Sequence, residues 1–308
     1  AVNHSIPDGV AVFVRTPAGT VLHTGDFKLD QTPIDGRFTD FAAFAKAAKQ
    51  GVTVLMSDST NAESPGHTDT EALVGKSLRE IFAAAEKRII VASFASHIHR
   101  VQQVCDAAVA CGRKVAVTGR SMVNTTRVAR ELGYLHIADD DLLDAFDMGD
   151  LPADKVVVLC TGSQGEPLSA LARIANGDHR SIQLERGDTV VISATPVPGN
   201  EKAVSRVMNR LYKAGARVVH KGMARVHVSG HAASEELKLM LNLIDPQHFV
   251  PIHGETRHLH AHAALATAVG IPEERVFVLE NGSCLEIEDG EVRMAERVES
   301  GVVYVDGL

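Results

Sequence analysis

Short, unbroken apolar runs recur along the chain with helical sequence between them, and this alternation restricts the fold more than any other feature. Val52–Met56, Arg88–Phe94, Lys114–Thr118, Lys155–Cys160, Thr189–Ser193, Arg217–His220 and Phe249–His253 are such runs. A strand without polar alternation calls for cover on both faces, as in a parallel sheet. Between them Thr39–Gln50, Ile98–Ala110, Ser121–Leu132, Leu168–Asn176, Glu201–Ala214, Ser234–Ile244 and Arg257–Val269 read as helices, and Asp69 as the cap of another that runs to about Ala84. Alternation of this kind predicts an α/β protein. Val10–Arg15 and Val21–Thr24 flank Pro17-Ala18-Gly19 as a hairpin, and Val276–Leu279, Cys284–Ile287 and Val292–Ala295 are short closing strands. The Pro- and Gly-containing stretch Asn61–His67 marks one domain edge and the segment near Lys221–Val226 another, for which 308 residues leave room.

Composition narrows the function. No apolar run approaches the ~20 residues that span a bilayer, so no membrane partner is expected. Four cysteines without CxxC spacing read as reduced, buried thiols of a cytoplasmic protein. A net charge of −8 argues against non-specific nucleic-acid binding by the overall field and leaves a local basic groove open. Fifteen His against three Tyr and no Trp direct attention to metal ligands.

Several strands end in small or polar residues, and in open α/β sheets ligands bind beyond such carboxyl ends. Asp26 follows Gly25; Asp58 lies in Ser57-Asp58-Ser59-Thr60; His253 lies between Ile252 and Gly254. His4 precedes the first strand. Singly, each reads as a turn former, a cap or a structural His. Together, two imidazoles and a carboxylate on strand ends are ligands for Zn²⁺ or Mn²⁺.

The run His227-Val228-Ser229-Gly230-His231 precedes a helix start. Its glycine permits close approach, and free amides there can take an anion, with an imidazole as acid. The alternative is a polar loop with two surface His. Ser96-His97-Ile98-His99-Arg100 also enters a helix after a strand, and its hydroxyl, His and Arg suit phosphate. With the loops that open at Thr161 and Ser193, these segments suggest a path for a polyanion. His258, His260 and His262 read as an exposed helix face, and HExxH is absent.

These segments together resemble the ribonuclease J family, bacterial members of the β-CASP group of metallo-β-lactamase-fold nucleases. Nine motifs carry the resemblance in order: NHSIPDG, GDFKLD, SDSTNAE, SFASHIHRVQQ, GRSM, TGSQGEPLSAL, PVPGN, HVSGH and PIHGE. His97 stands where the family often has Asn. The resemblance implies part of a metallo-β-lactamase-like αββα sandwich over residues 1–62 and 224–308, with a β-CASP α/β domain inserted at 63–223. It implies two Zn²⁺ per complete site, with Mn²⁺ possible. His4, Asp26 and His253 match metal ligands, Asp58 the acidic residue of the first β-CASP motif, and His231 the catalytic His. Ser96, His97 and Ile98, with His227, Val228, Ser229, Gly230 and His231, match segments that contact the RNA backbone.

The activity implied is endonucleolytic and 5′-to-3′ exonucleolytic hydrolysis of single-stranded RNA, with a 5′-monophosphate preferred. The setting implied is rRNA processing and mRNA decay, by a cytoplasmic homo-oligomer, a dimer or tetramer. A non-catalytic RNA-binding paralogue that pairs with an active subunit is the alternative. The family's HxHxDH motif is absent. The resemblance places it before Ala1 and a further domain after Val305-Asp306-Gly307-Leu308, so these residues alone are expected to leave the active site incomplete.

Overall fold

The computed structural model describes residues 1–144 and 147–305; the chain end at 306–308 lies outside the described residues. In chain order the first elements are β1 (Val12–Arg15), β2 (Thr20–His23), α1 (Phe41–Gln50), β3 (Val54–Asp58), α2 (Ala72–Ala83), β4 (Ile89–Ala92), α3 (Ile98–Ala110) and β5 (Lys114–Thr118). Next come α4 (Arg120–Glu131), β6 (Leu142–Leu143), β7 (Val156–Cys160), α5 (Ala170–Asn176), β8 (Thr189–Ile192), α6 (Glu201–Lys213) and β9 (Arg217–Val219). The chain closes with α7 (Ser234–Ile244), β10 (His248–Ile252), α8 (Thr256–Ala268), β11 (Cys284–Glu288) and β12 (Glu291–Ala295).

Six strands form one parallel sheet in the order β6-β5-β7-β4-β8-β9. Successive residues of a strand point to opposite faces, and here both faces are buried. Ile89 and Val91 join a cluster with Leu78 of α2, Val104 of α3 and Met122 of α4. Ile90 and Ala92 join another with Leu171 of α5 and Leu211 of α6. That two-sided cover is why the strands carry no polar alternation.

The second sheet, in the order β1-β2-β3-β10, draws on both ends of the chain. β2, β3 and β10 are parallel, and β1 closes a hairpin with β2. Its helical layer is α1, α7 and α8. α7 buries Leu237, Met240, Leu241 and Ile244, the i, i+3, i+4, i+7 stripe. Of the implied sandwich, the described residues supply this layer, the four-stranded sheet and a separate β11–β12 hairpin.

Three expectations need correction. α2 starts at Ala72 with no side-chain cap, and Asp69 instead pairs with Arg225 across the two chain passages that join the sheets. Val276–Leu279 makes only an isolated bridge, from Val276 to Phe249. His258 and His262 are not an exposed face: they line the buried stripe of α8 with Ala266. His262 packs edge-on against Phe249, and burial pushes its pKa down to about 3.

Candidate active site

Three parallel strands end together. Ile252 is in register with Asp58, and His23 with Met56, so the residues that follow share one rim. After β2 the chain turns through Gly25, whose φ of +64° favours glycine and where a Cβ would stand 2.4 Å from the Val10 carbonyl oxygen. That turn delivers Asp26. His253 follows β10 with φ +55°, an uncommon conformation for a non-glycine residue, and its carbonyl accepts a hydrogen bond from the Thr60 hydroxyl at 2.8 Å.

On this rim His253 Nε2 lies 3.4 Å and His4 Nε2 3.8 Å from Asp26 Oδ2. His4 Nδ1–H donates to the Gly230 carbonyl at 2.9 Å, which leaves Nε2 to face the carboxylate. Burial, with the neighbouring His231, holds His4 below its ordinary pKa, so the ring is neutral and Nε2 carries a free lone pair. Both separations exceed good hydrogen bonds. They suit two ligands of one tetrahedral ion, which stand ~3.4 Å apart when each is ~2.1 Å from it. Two overlapping groups have ligand atoms within 4.8 Å of one another and could hold a metal, His4 with Asp26 and His231, and Asp58 with His231 and His253, and the Gly230 carbonyl orients the His4 ring from behind.

His231 meets this cluster from the other side. Its ring centroid is 4.9 Å from that of His4 and 5.5 Å from that of His253. Its Nδ1–H donates to Asp58 Oδ2 at 2.6 Å. Burial would raise the Asp58 pKa, but the His231 bond and the Thr60 amide lower it overall. Burial would likewise lower His231, and the Asp58 bond and charge overcome it, so the ring holds a proton more readily than a free histidine.

A cavity of about 510 Å³ opens beside the rim, walled by Ser96, Thr195, Lys221, Ser229, His231 and Arg257 among others. The expected RNA-contact residues divide here. Ser96 is exposed, and His97, His227 and Gly230 also line the cavity. Ile98 and Val228 do not line it: both side chains are buried in apolar core. His97 is nearly buried, and its ring accepts the Arg100 amide as the cap of α3. Arg100, read as a phosphate ligand, is fully buried and bound to protein groups. His227 keeps a buried Nδ1 without a partner among the described residues, and burial with nearby Arg100 and Lys221 pushes its pKa down to about 3.

Sequence reasoning missed Glu236. Its buried carboxylate accepts from the amides of Leu29, Thr68 and Ala233 at 2.7–2.8 Å, tying the Asp26 segment to the start of α7. The available signal was a Glu at the third helical position, the capping-box place.

Gly230 leads to a prediction. A Cβ there would meet Ser5 Oγ at 2.2 Å and His4 Nδ1 at 2.8 Å. Gly230→Ala should displace the His4 ring and weaken metal binding ~10–100-fold, as loss of a ligand's orienting partner does. Chelator competition measures it, and unchanged affinity would show that His4 needs no such support.

Residues 86–211 match the family model for the ribonuclease J β-CASP domain, and residues 215–279 that for the Zn-dependent metallo-hydrolase RNA specificity domain. The chain is 49% identical over all 308 residues to a ribonuclease J of Mycolicibacterium smegmatis, covering 55% of that protein. It is 48% identical over 305 residues to one of Thermus thermophilus, covering 99% of this chain and 53% of that protein. The chain thus spans about half the length of the curated relatives it matches. Among solved structures, a protein of unknown function from Enterococcus faecalis superposes with a TM-score of 0.62 at 17% identity, over 96% of this chain and 63% of that one; it shares the fold.

Proposed function

The chain belongs to the ribonuclease J family, and from that premise we propose that it forms the core of a zinc-dependent ribonuclease that hydrolyses phosphodiester bonds of single-stranded RNA. The observation that carries the reading is the Asp58–His231 pair set beside His4, Asp26 and His253 at the mouth of a cavity with Lys221 and Arg257 in its wall. Residues 1–62 and 224–308 would be the metallo-hydrolase part and 63–223 the inserted domain.

His4, Asp26 and His253 would hold metal, two Zn²⁺ (or Mn²⁺) in the complete site; bound there, metal polarises the phosphoryl group and acidifies the attacking water. The chain's own residues do the rest. Asp58 holds the Nδ1–H of His231 and favours the doubly protonated ring, so the proton the imidazolium can give up is the one on Nε2. His231 can deliver it to the leaving oxygen, the part of a general acid. Ser96 and Lys221 would bind backbone phosphates, which positions RNA without reading its bases, while Arg257 is already paired with Glu63 and Glu255.

We extend the proposal to endonucleolytic and 5′-to-3′ exonucleolytic action on 5′-monophosphorylated RNA, in rRNA processing and mRNA decay, by a cytoplasmic homo-oligomer. No described helix is long and apolar enough to cross a membrane. The full-length protein should cut single-stranded RNA, lose that activity to a chelator, regain it with Zn²⁺ or Mn²⁺, and leave simple esters and lactams intact. RNA bound but never cut by the zinc-loaded protein would replace this reading with a non-catalytic RNA-binding subunit.

A further inference from the structure

Arg100 heads the largest side chains that are fully buried, and it sits where the two sheets meet. Its Nε and Nη2 donate to the two carboxylate oxygens of Glu71, at 2.6 and 2.9 Å. Its Nη1 donates to Ser193 Oγ at 2.5 Å and to the Val226 carbonyl at 2.6 Å. The Ser193 hydroxyl donates to that same carbonyl at 2.6 Å. One guanidinium thus joins the chain entering the six-stranded sheet, the end of β8, and the chain leaving it.

Both ends of this node run to the site. Val226 immediately precedes His227–His231. On the other side the Glu71 amide donates to Asp30 Oδ2 at 3.2 Å, and Asp30 pairs with Lys28 at 3.2 Å, two residues after Asp26. Lys28 N in turn donates to the carbonyl of Asn3, the neighbour of His4. Stability alone is a weak reason for such a pair, because apolar residues of similar volume often replace a buried ion pair at no loss. A rigid fork with several donors does what an apolar residue cannot: it fixes the mutual position of separate segments.

We propose that Arg100, through Glu71 and Ser193, is a positioning residue that holds the 226–231 segment in register with the Asp26 segment, and so places His231 against the metal ligands. The proposal rests on the ribonuclease reading for its kinetic consequence only. The test compares full-length, zinc-loaded wild type with the volume-matched double variant Glu71→Met/Arg100→Met and with Ser193→Ala. Melting, amide exchange of residues 226–231, and single-turnover kinetics on RNA are measured for each.

The double variant should melt cooperatively near the wild-type temperature while exchange at 226–231 quickens ~10-fold or more relative to the β4–β7 core. Its kcat should fall on the order of 10²-fold with KM nearly unchanged, the effect expected of ~1 Å misplacement. A folded double variant with wild-type exchange and kcat overturns the proposal. Should the double variant not fold, Ser193→Ala decides: faster exchange at 226–231 supports the proposal, and unchanged exchange overturns it. Wild-type protein that cuts no RNA would sink the ribonuclease reading, while the exchange measurements would still report on the positioning role.

Discussion

His231→Ala in the full-length, zinc-loaded protein should slow single-turnover RNA cleavage by ~10²–10⁴-fold, the usual contribution of a general acid, and barely change RNA affinity. The expectation comes from where the ring stands. Its Nδ1 is committed to Asp58 at 2.6 Å, and the carboxylate raises its proton affinity against the pull of burial. A group that gives up a proton only as the leaving oxygen develops charge acts in the transition state, so its loss appears in the rate and not in binding. Ser96→Ala should do the reverse. Ser96 is exposed in the cavity wall, and loss of one phosphate hydrogen bond weakens binding by about 1 kcal/mol. Separate measurement of RNA affinity and single-turnover rate tells the two apart. If His231→Ala weakens affinity and leaves the rate intact, the 227–231 segment is a phosphate-binding loop and not the source of the acid.

The fold was legible where one physical cause acts locally. Ile89 to Ala92 are apolar at every position because both faces of β4 are covered. Asp26 and His253 were legible for a related reason: they follow apolar runs directly, so the fold class alone puts them at carboxyl ends. That Asp58 and His231, far apart in sequence, form one hydrogen-bonded pair is not legible in any spacing; the resemblance marks each residue singly, and only the fold joins them. Arg100 shows what local reading cannot reach. An Arg in the first turn of a helix after a strand has the same sequence signature whether it faces phosphate or is buried, and only the return of the chain through Val226 decides between them. His258 and His262 are a different error. Their i, i+4 spacing, continued by Ala266, marks a core stripe, because an imidazole can pack like an aromatic ring and period then outweighs polarity. The positive φ at His253 has no sequence signal, because the glycine that follows it would serve a turn equally well.

Asp26→Ala should strip the site of metal. Its Oδ2 lies 3.8 Å from His4 Nε2 and 3.4 Å from His253 Nε2, each pair too long for a strong hydrogen bond and suited to two ligands of one ion, so Asp26 is the carboxylate both imidazoles share. Loss of an orienting partner behind a ligand already costs ~10–100-fold in metal affinity, so loss of a direct ligand should exceed that, with activity falling at least as far. The fold should survive. Asp26 is partly exposed, so its removal buries no unpaired group, and burial keeps His4 neutral without it. Asp58→Ala is the contrast. That carboxylate is buried and accepts from the Phe27 and Thr60 amides as well as from His231, so its removal leaves buried donors unsatisfied and should lower thermal stability even without metal. Metal content after dialysis and melting of the metal-free proteins separate the two variants. Asp26→Ala that retains its full metal content and its cleavage rate would reduce Asp26 to a turn residue of the Gly25–Asp30 segment and move the metal site off this rim.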